Sequence, residues 1–320
     1  MQTVSVGKLR GLQQSTSAHG TFTCLALDHR QNLRRALLPQ DSKQVTDEQL
    51  SGFKLEMTAS LSRFATAVLL DPEFSAAQAV ASGKLPGGVG LVVALESTGY
   101  DGIPTARRSQ MLPGWSIEKA KRMGASMVKL LVYYHPQSPT ASAIEDFVRQ
   151  TGEQCSRYDL GLMLEPLSYS LEEGGGLSSA EKHFVVTETA RRLAVPGVDV
   201  LKVEFPLDVL EEEDEQSWGQ ACEEISAACP VPWILLSAAV DYETYFRQVR
   251  VACQAGASGI AVGRAVWQEA VALQGSARIE FLQTTASERL NRLIGLCNHT
   301  ARPIQTFYTC QIPFDWYKTY

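Results

Sequence analysis

The sequence predicts a single (β/α)8 TIM barrel, and three observations predict it. Strand-like and helix-like segments alternate eight times along the 320 residues, the order of a parallel sheet with crossover helices. Most strand-like segments are near-continuous apolar runs, as strands buried on both faces require. Ionisable groups fall at the C-terminal ends of those runs, where a barrel gathers its chemistry. A barrel needs ~250 residues. One barrel over about residues 20–275, with a C-terminal helix and an aromatic-rich tail over 276–320, therefore uses the chain as a single domain.

The first strand is read at Thr21–Asp28. It runs into Leu27-Asp28-His29-Arg30, where a doubly wound dinucleotide-binding sheet would carry G-x-G-x-x-G. A helix over Thr46–Leu61 opens on a Thr-Asp-Glu cap signature. The second and third strands follow at Ala65–Asp71 and Val89–Glu96, then a helix over Trp115–Met123 that stops at Gly124. Strand four (Met127–Tyr134) leads to helix Ala143–Cys155, and strand five (Leu160–Leu167) to helix Ser178–Leu193. Strand six (Val198–Pro206) precedes helix Trp218–Cys229, and strand seven (Pro232–Ala238) precedes helix Tyr242–Ala255. Strand eight (Gly259–Gly263) and helix Ala265–Leu273 close the series. Ser276–Leu296 reads as one more helix. The tail Thr306–Tyr320, rich in Phe, Trp and Tyr, packs either on the barrel or on a neighbouring subunit, which leaves a homo-oligomer open. The acidic stretch Glu211–Glu215 reads as a solvated loop.

Composition narrows the function. A net charge of −6 argues against a nucleic-acid binder, which would carry a basic surface. No run of ~18 apolar residues predicts a membrane span, and the N-terminus lacks the pattern of a secretory signal. The seven cysteines are scattered without a C-x-x-C pair, so they read as reduced thiols in a cytoplasmic protein. The five histidines show no metal-ligand spacing, and neither a metal nor a cofactor is expected.

The strand ends carry Asp28, Asp71, Glu96, Lys129, Glu165, Lys202 with Glu204, Ser237, and Gly263-Arg264. Buried strand positions mostly exclude Lys and Glu, so this concentration is a signal of a site. Lys202, inside Val198-Asp-Val-Leu-Lys-Val-Glu-Phe-Pro206, is desolvated or must snorkel out. Desolvation favours the neutral, nucleophilic amine. Lys129 is a second such lysine; two inward lysines would depress each other's protonation, unless each is held in an ion pair with a glutamate. Glu165 faces the barrel mouth beside Lys202, where it can shuttle protons. Glu204, two residues beyond Lys202, shares its strand face and either pairs with a lysine or caps the strand. Ser237, Gly263 and Arg264 end strands seven and eight, where barrels frequently bind phosphate. Asp28 and His29 suit hydroxyl recognition, unless Asp28 caps a helix. Glu96 and Asp71 read as supporting hydrogen-bond partners.

These segments resemble the class I tagatose 1,6-bisphosphate aldolase family, which includes the related sulfofructose-phosphate aldolases. The likeness runs from about Phe22 to Trp267 and rests on Leu27-Asp28-His29-Arg30, Leu70-Asp71-Pro72-Glu73, Glu96-Ser97-Thr98-Gly99-Tyr100-Asp101, Val128-Lys129-Leu130-Leu131 and Asp199-Val200-Leu201-Lys202-Val203-Glu204. Leu235-Leu236-Ser237 and Gly263-Arg264-Ala265 complete it. The resemblance implies a Schiff base on Lys202, proton handling by Glu165, substrate oxygens at Lys129, and a phosphate held by Ser237, Gly263 and Arg264. The substrate implied is a phosphorylated ketose, tagatose or fructose 1,6-bisphosphate before a sulfo-sugar. Two positions depart from the family pattern: His29 stands where Gln is usual, and Ala239 where Gly is usual. The pattern does not single out the residues for a second phosphate, with Arg107 and Arg108 among the basic candidates.

Two other classes compete. A retaining glycoside hydrolase would pair Glu165 with another carboxylate ~5–5.5 Å away, but gives the lysines no role. A non-catalytic sugar-phosphate-binding barrel would keep the pocket without the reaction.

Overall fold

Alternation within each strand decides which side chains meet. In the computed structural model, which describes residues 1–238, 240–318 and 320, eight parallel strands close into a barrel. They are β1 (Phe22–Ala26), β2 (Ala67–Leu70), β3 (Gly90–Ala94), β4 (Met127–Tyr133), β5 (Gly161–Leu167), β6 (Val200–Val203), β7 (Trp233–Leu236) and β8 (Gly259–Val262). Closure is made by β8 against β1, with Gly259 opposite Phe22 and Val262 opposite Leu25.

Successive residues point to opposite faces, so each strand feeds two cores. Leu25, Val68, Val93, Val128, Leu162 and Leu201 pack outward under the helices. Phe22, Cys24, Leu69, Val92, Met127, Met163, Val200 and Ile234 fill the barrel interior. Fully burying each such large side chain stabilises the fold by about 1.5–3 kcal/mol. The inward series then turns polar toward the C-terminal ends: Met127 gives way to Lys129, Met163 to Glu165, and Val200 to Lys202.

The helices are α1 (Val6–Gln14), α2 (Gln31–Leu37), α3 (Asp47–Leu61), α4 (Ala76–Ala81), α5 (Ile117–Arg122), α6 (Ala141–Arg157), α7 (Ser179–Leu193), α8 (Glu215–Ala228), α9 (Tyr242–Gln254), α10 (Arg264–Trp267), α11 (Gly275–Phe281) and α12 (Ser287–Thr300). Thr46 and Ser178 begin α3 and α7 with full capping boxes, using Gln49 and Glu181.

Four expectations change. The helix read over Ser276–Leu296 is α11 and α12 joined by a π-helical turn, Leu282–Ala286. Hydroxyls there bond back to the helix, Thr284 to the Glu280 carbonyl and Ser287 to that of Gln283, which competes with the regular ladder. The helix read over Ala265–Leu273 is the single turn α10 followed by a 3-10 turn, Gln268–Val271. The acidic stretch is not merely solvated: Asp214 caps α8, and Glu215 binds Arg247 and Arg250 of α9. The tail is divided, with Phe307 and Tyr308 buried beneath the barrel while Phe314 and Tyr317 are exposed.

The bottom of the barrel is closed by pieces the sequence reading did not identify. Gln2–Thr3 pairs in parallel with Tyr308–Thr309, and α1 inserts Leu12 into the interior cluster. Six of the seven cysteines are buried, and burial pushes the Cys24, Cys155, Cys222 and Cys229 thiols up to about 12. Among the described residues, no helix is long and apolar enough to cross a membrane.

Candidate active site

The polar ends of the inward series meet at the floor of an open-mouthed cavity of about 300 Å³ at the C-terminal end of the barrel. Lys202, Glu165, Lys129, Asp28, His29, Glu96, Ser237, Gly263 and Arg264 all border it. Asp71 does not; it turns outward into a fully buried ion pair with Lys54 of α3 and accepts from Phe74 N and Ser75 Oγ.

Lys202 Nζ donates to Glu165 Oε1 at 2.6 Å. The other oxygen, Oε2, lies 2.9 Å from Lys129 Nζ. One carboxylate thus bridges two lysines. Lys129 also donates to Asp28 Oδ2 at 2.8 Å and Glu96 Oε1 at 2.8 Å, and Glu96 Oε2 accepts from Leu131 N at 3.0 Å. Lysines 129 and 202 are only 1% and 5% exposed, and Glu165 7%.

These contacts correct the expectation that the two lysines depress each other. Burial alone would lower the Lys129 ammonium, but Asp28, Glu165 and Glu96 outweigh it and hold the group well above its usual range. Lys129 is a fixed cation, in the ion-paired arrangement that the sequence left open. Burial likewise pushes the Asp28 and Glu165 carboxyls upward, but Lys129 and Lys202 prevail and both stay below the usual range. Asp28 caps no helix: α2 starts after Arg30, without a side-chain cap. Among the described residues, Glu204 pairs with no lysine. Its Oε2 accepts from Ser168 N at 2.6 Å, and burial raises its carboxyl.

Across the cavity, Gly263 N donates to Ser237 Oγ at 3.1 Å and joins the ends of β7 and β8. Ala238, next to Ser237, holds φ at 42°, a conformation that costs a non-glycine residue about 1–3 kcal/mol and clusters at functional sites. The departure at Ala239 lies outside the described residues. The Arg264 side chain makes no ion pair or hydrogen bond among the described residues, and its Nε is buried without a partner there. Burial lowers its guanidinium.

The model of the DeoC/LacD family aldolases matches residues 22–269. The chain belongs to that aldolase family. A tagatose 1,6-diphosphate aldolase of Staphylococcus aureus strain JH9 is 30% identical over 316 residues, covering 92% of this chain and 96% of that protein. Solved structures share the fold. An archaeal fructose 1,6-bisphosphate aldolase (21% identical, TM-score 0.59) covers 91% of this chain and 99% of its own. A fructose-bisphosphate aldolase from Plasmodium falciparum (13% identical, TM-score 0.72) covers 94% and 98%. Family membership sets the glycoside hydrolase reading aside.

The sequence reading of this aldolase missed Tyr133, which ends β4 on the cavity wall. It also missed how Arg107 is held. A hairpin, Asp101–Ile103 with Ala106–Arg108, folds over the barrel mouth. There the Arg107 guanidinium sits 4.6 Å from the Tyr100 ring, 5.4 Å from Tyr133 and 4.6 Å from Tyr169. The hairpin strands are three residues each, exposed in the first and half-buried at Ala106 and Arg107 in the second, without an apolar period to reveal them. Its bend is Pro104-Thr105, and Gly102, opposite Arg107 in the first strand, holds a positive φ of 94°.

Proposed function

We propose that this chain is a class I aldolase that cleaves a ketohexose 1,6-bisphosphate, such as tagatose 1,6-bisphosphate, into dihydroxyacetone phosphate and glyceraldehyde 3-phosphate. The observation that carries the reading is the Lys202–Glu165 contact of 2.6 Å on the cavity floor. Glu165 takes the Lys202 proton, and the free amine attacks the C2 carbonyl. Glu165 returns a proton to the carbinolamine oxygen, water leaves, and a protonated imine remains. A base removes the C4 hydroxyl proton, the C3–C4 bond breaks, and its electron pair moves into the imine to give an enamine. The aldehyde departs first. Protonation at C3 and hydrolysis of the imine then release dihydroxyacetone phosphate and regenerate Lys202.

In this reading the Lys129 cation contacts substrate oxygens and keeps Glu165 ionised at the start of the cycle. Asp28 and Glu96 hold Lys129 in place, and Asp28 reads a substrate hydroxyl. Ser237, Gly263 and Arg264 hold the phosphate of the dihydroxyacetone half. Tagatose 1,6-bisphosphate is favoured by the 30% identity to a tagatose 1,6-diphosphate aldolase over most of both chains.

The test is borohydride reduction with dihydroxyacetone phosphate in the presence of EDTA, followed by peptide mass mapping. A stable adduct on Lys202 is the expected result, and cleavage of tagatose, fructose and sulfofructose phosphates then ranks the substrates. Absence of an adduct, under conditions that trap another Schiff-base aldolase, sinks the lysine mechanism. Phosphate binding without turnover would leave a non-catalytic sugar-phosphate binder.

A further inference from the structure

His29 and Asp28 are adjacent in sequence but face different parts of the cavity. Asp28 turns its carboxylate to Lys129. The imidazole turns toward β8 instead. A β-carbon on Gly263 would lie 3.1 Å from His29 Cε1, so the ring rests on the backbone at the end of that strand. It meets Trp267 edge-on, with ring centroids 5.5 Å apart. The sequence position suggested a reader of sugar hydroxyls. The geometry puts the ring on Gly263, which donates its N–H to Ser237 and immediately precedes Arg264.

Two buried polar atoms in this corner have no partner among the described residues, His29 Nδ1 and Arg264 Nε. Such atoms are uncommon, and two around one cavity point to a ligand that engages both. Its charge follows from the surroundings. Arg264 has no carboxylate to neutralise it among the described residues, and the Ser237 hydroxyl, which accepts from Gly263 N, still has its own proton to donate. An anion with several acceptor oxygens fits this set, as a phosphoryl group does.

We infer that His29 is a phosphate-binding residue that takes up a proton from solvent when the substrate's phosphoryl group binds beside Arg264. The inference rests on reading the cavity as a sugar-phosphate site. The groups facing the ring set the direction. Burial disfavours the imidazolium, Asp28 favours it, and Arg264 of α10, Lys202 of β6 and Lys54 of α3 disfavour it. The balance pushes the imidazole down to about 4, so it is neutral before phosphate arrives. A bound phosphodianion offsets the three cations and gives a protonated ring nitrogen an oxygen to bond. Affinity for the dianion itself then becomes stronger as pH falls through the value that the ring acquires in the complex.

Calorimetric titration of inorganic phosphate into the intact protein at about pH 7, in two buffers of different ionisation enthalpy, counts the protons taken up. Wild type is expected to take up more than His29→Gln, by up to one proton per site, and to bind phosphate about tenfold more tightly. His29→Asn serves as the second variant if glutamine disturbs folding. Ring-nitrogen shifts of His29 in the wild-type protein read the same event without a substitution and should move to imidazolium values on phosphate addition. Equal proton uptake with equal affinity, or unchanged neutral ring shifts, overturns the inference. So does failure of wild type to bind either inorganic phosphate or dihydroxyacetone phosphate. Borohydride trapping on the same samples separates the two readings. Trapping on Lys202 without extra proton uptake removes only the role of His29. Proton uptake without trapping removes the Schiff base and leaves His29 standing.

Discussion

The barrel buries lysine–carboxylate contacts at both ends, and the two ends use them differently. At the bottom, Lys8 of α1 donates to both oxygens of Asp199, at 3.1 and 2.8 Å. Leu162 N donates to Asp199 Oδ2, and the Tyr308 hydroxyl donates to the Asp199 carbonyl at 2.6 Å. This is one cation and one anion, sealed by the terminal segments. At the top, Glu165 is shared between Lys202 and Lys129 beside an open cavity. Burial and pairing do not distinguish the ends. A sealed one-to-one pair has nowhere to send a proton, whereas a shared carboxylate at a cavity floor can pass one to a bound molecule. On the proposed mechanism, a buried lysine with a carboxylate partner signals chemistry only where the pair is shared and accessible.

The sharpest way to break this comparison is to make the same change at both ends. Lys202→Met should lower turnover by roughly 10⁴-fold or more, as loss of a nucleophile does, with no borohydride adduct. Lys8→Met should leave turnover of the folded enzyme within about twofold. It should cost about 3–5 kcal/mol of stability, because Asp199 is left buried and unpaired; urea unfolding and steady-state kinetics check both. Comparable losses of turnover in the two variants would erase the distinction.

Acid titration probes the same contrast with a smaller effect. The folded state holds the Asp28 carboxyl below its unfolded value. The stability it contributes is therefore present above about pH 4 and lost as pH falls below that value. Asp28→Asn should make the acid limb of stability against pH shallower, by up to about 1.36 kcal/mol per pH unit. Asp199→Asn should not, because burial raises that carboxyl despite Lys8. Urea unfolding at a series of pH values decides, and an unaltered acid limb in Asp28→Asn would count against the top network as its source. The smallest effect is expected from Tyr308→Phe, which removes one hydrogen bond to the Asp199 carbonyl. It should lower stability by about 1 kcal/mol and leave turnover unchanged, as thermal melts and an activity assay would show.

Much of this was legible along the chain. Eight apolar runs gave eight barrel strands because burial on both faces leaves a continuous apolar signal. Lys129, Glu165 and Lys202 stood out because each interrupts such a run, and the structure brings all three together. What escaped notice lacks a period. Helix α1, the two-residue strand pair of the termini and the hairpin over the mouth are short or exposed, and their partners lie far away in sequence. The pairing of Asp71 with Lys54 rather than with the cavity was equally hidden, since the strand end alone does not say which element reaches it.

The sequence by itself determined the barrel, the end of it where ionisable groups gather and the lysines that interrupt its strands, because all three follow from local residue type and a period of two. Only the tertiary structure decided charge and direction. Whether two buried lysines depress each other or are held as cations depends on how many carboxylates converge on them, and three converge on Lys129. Whether His29 follows Asp28 toward that cluster or turns to Arg264 depends on the space above Gly263. Electrostatic energy varies with distance through space, and that distance is set by chain closure across residues far apart in sequence.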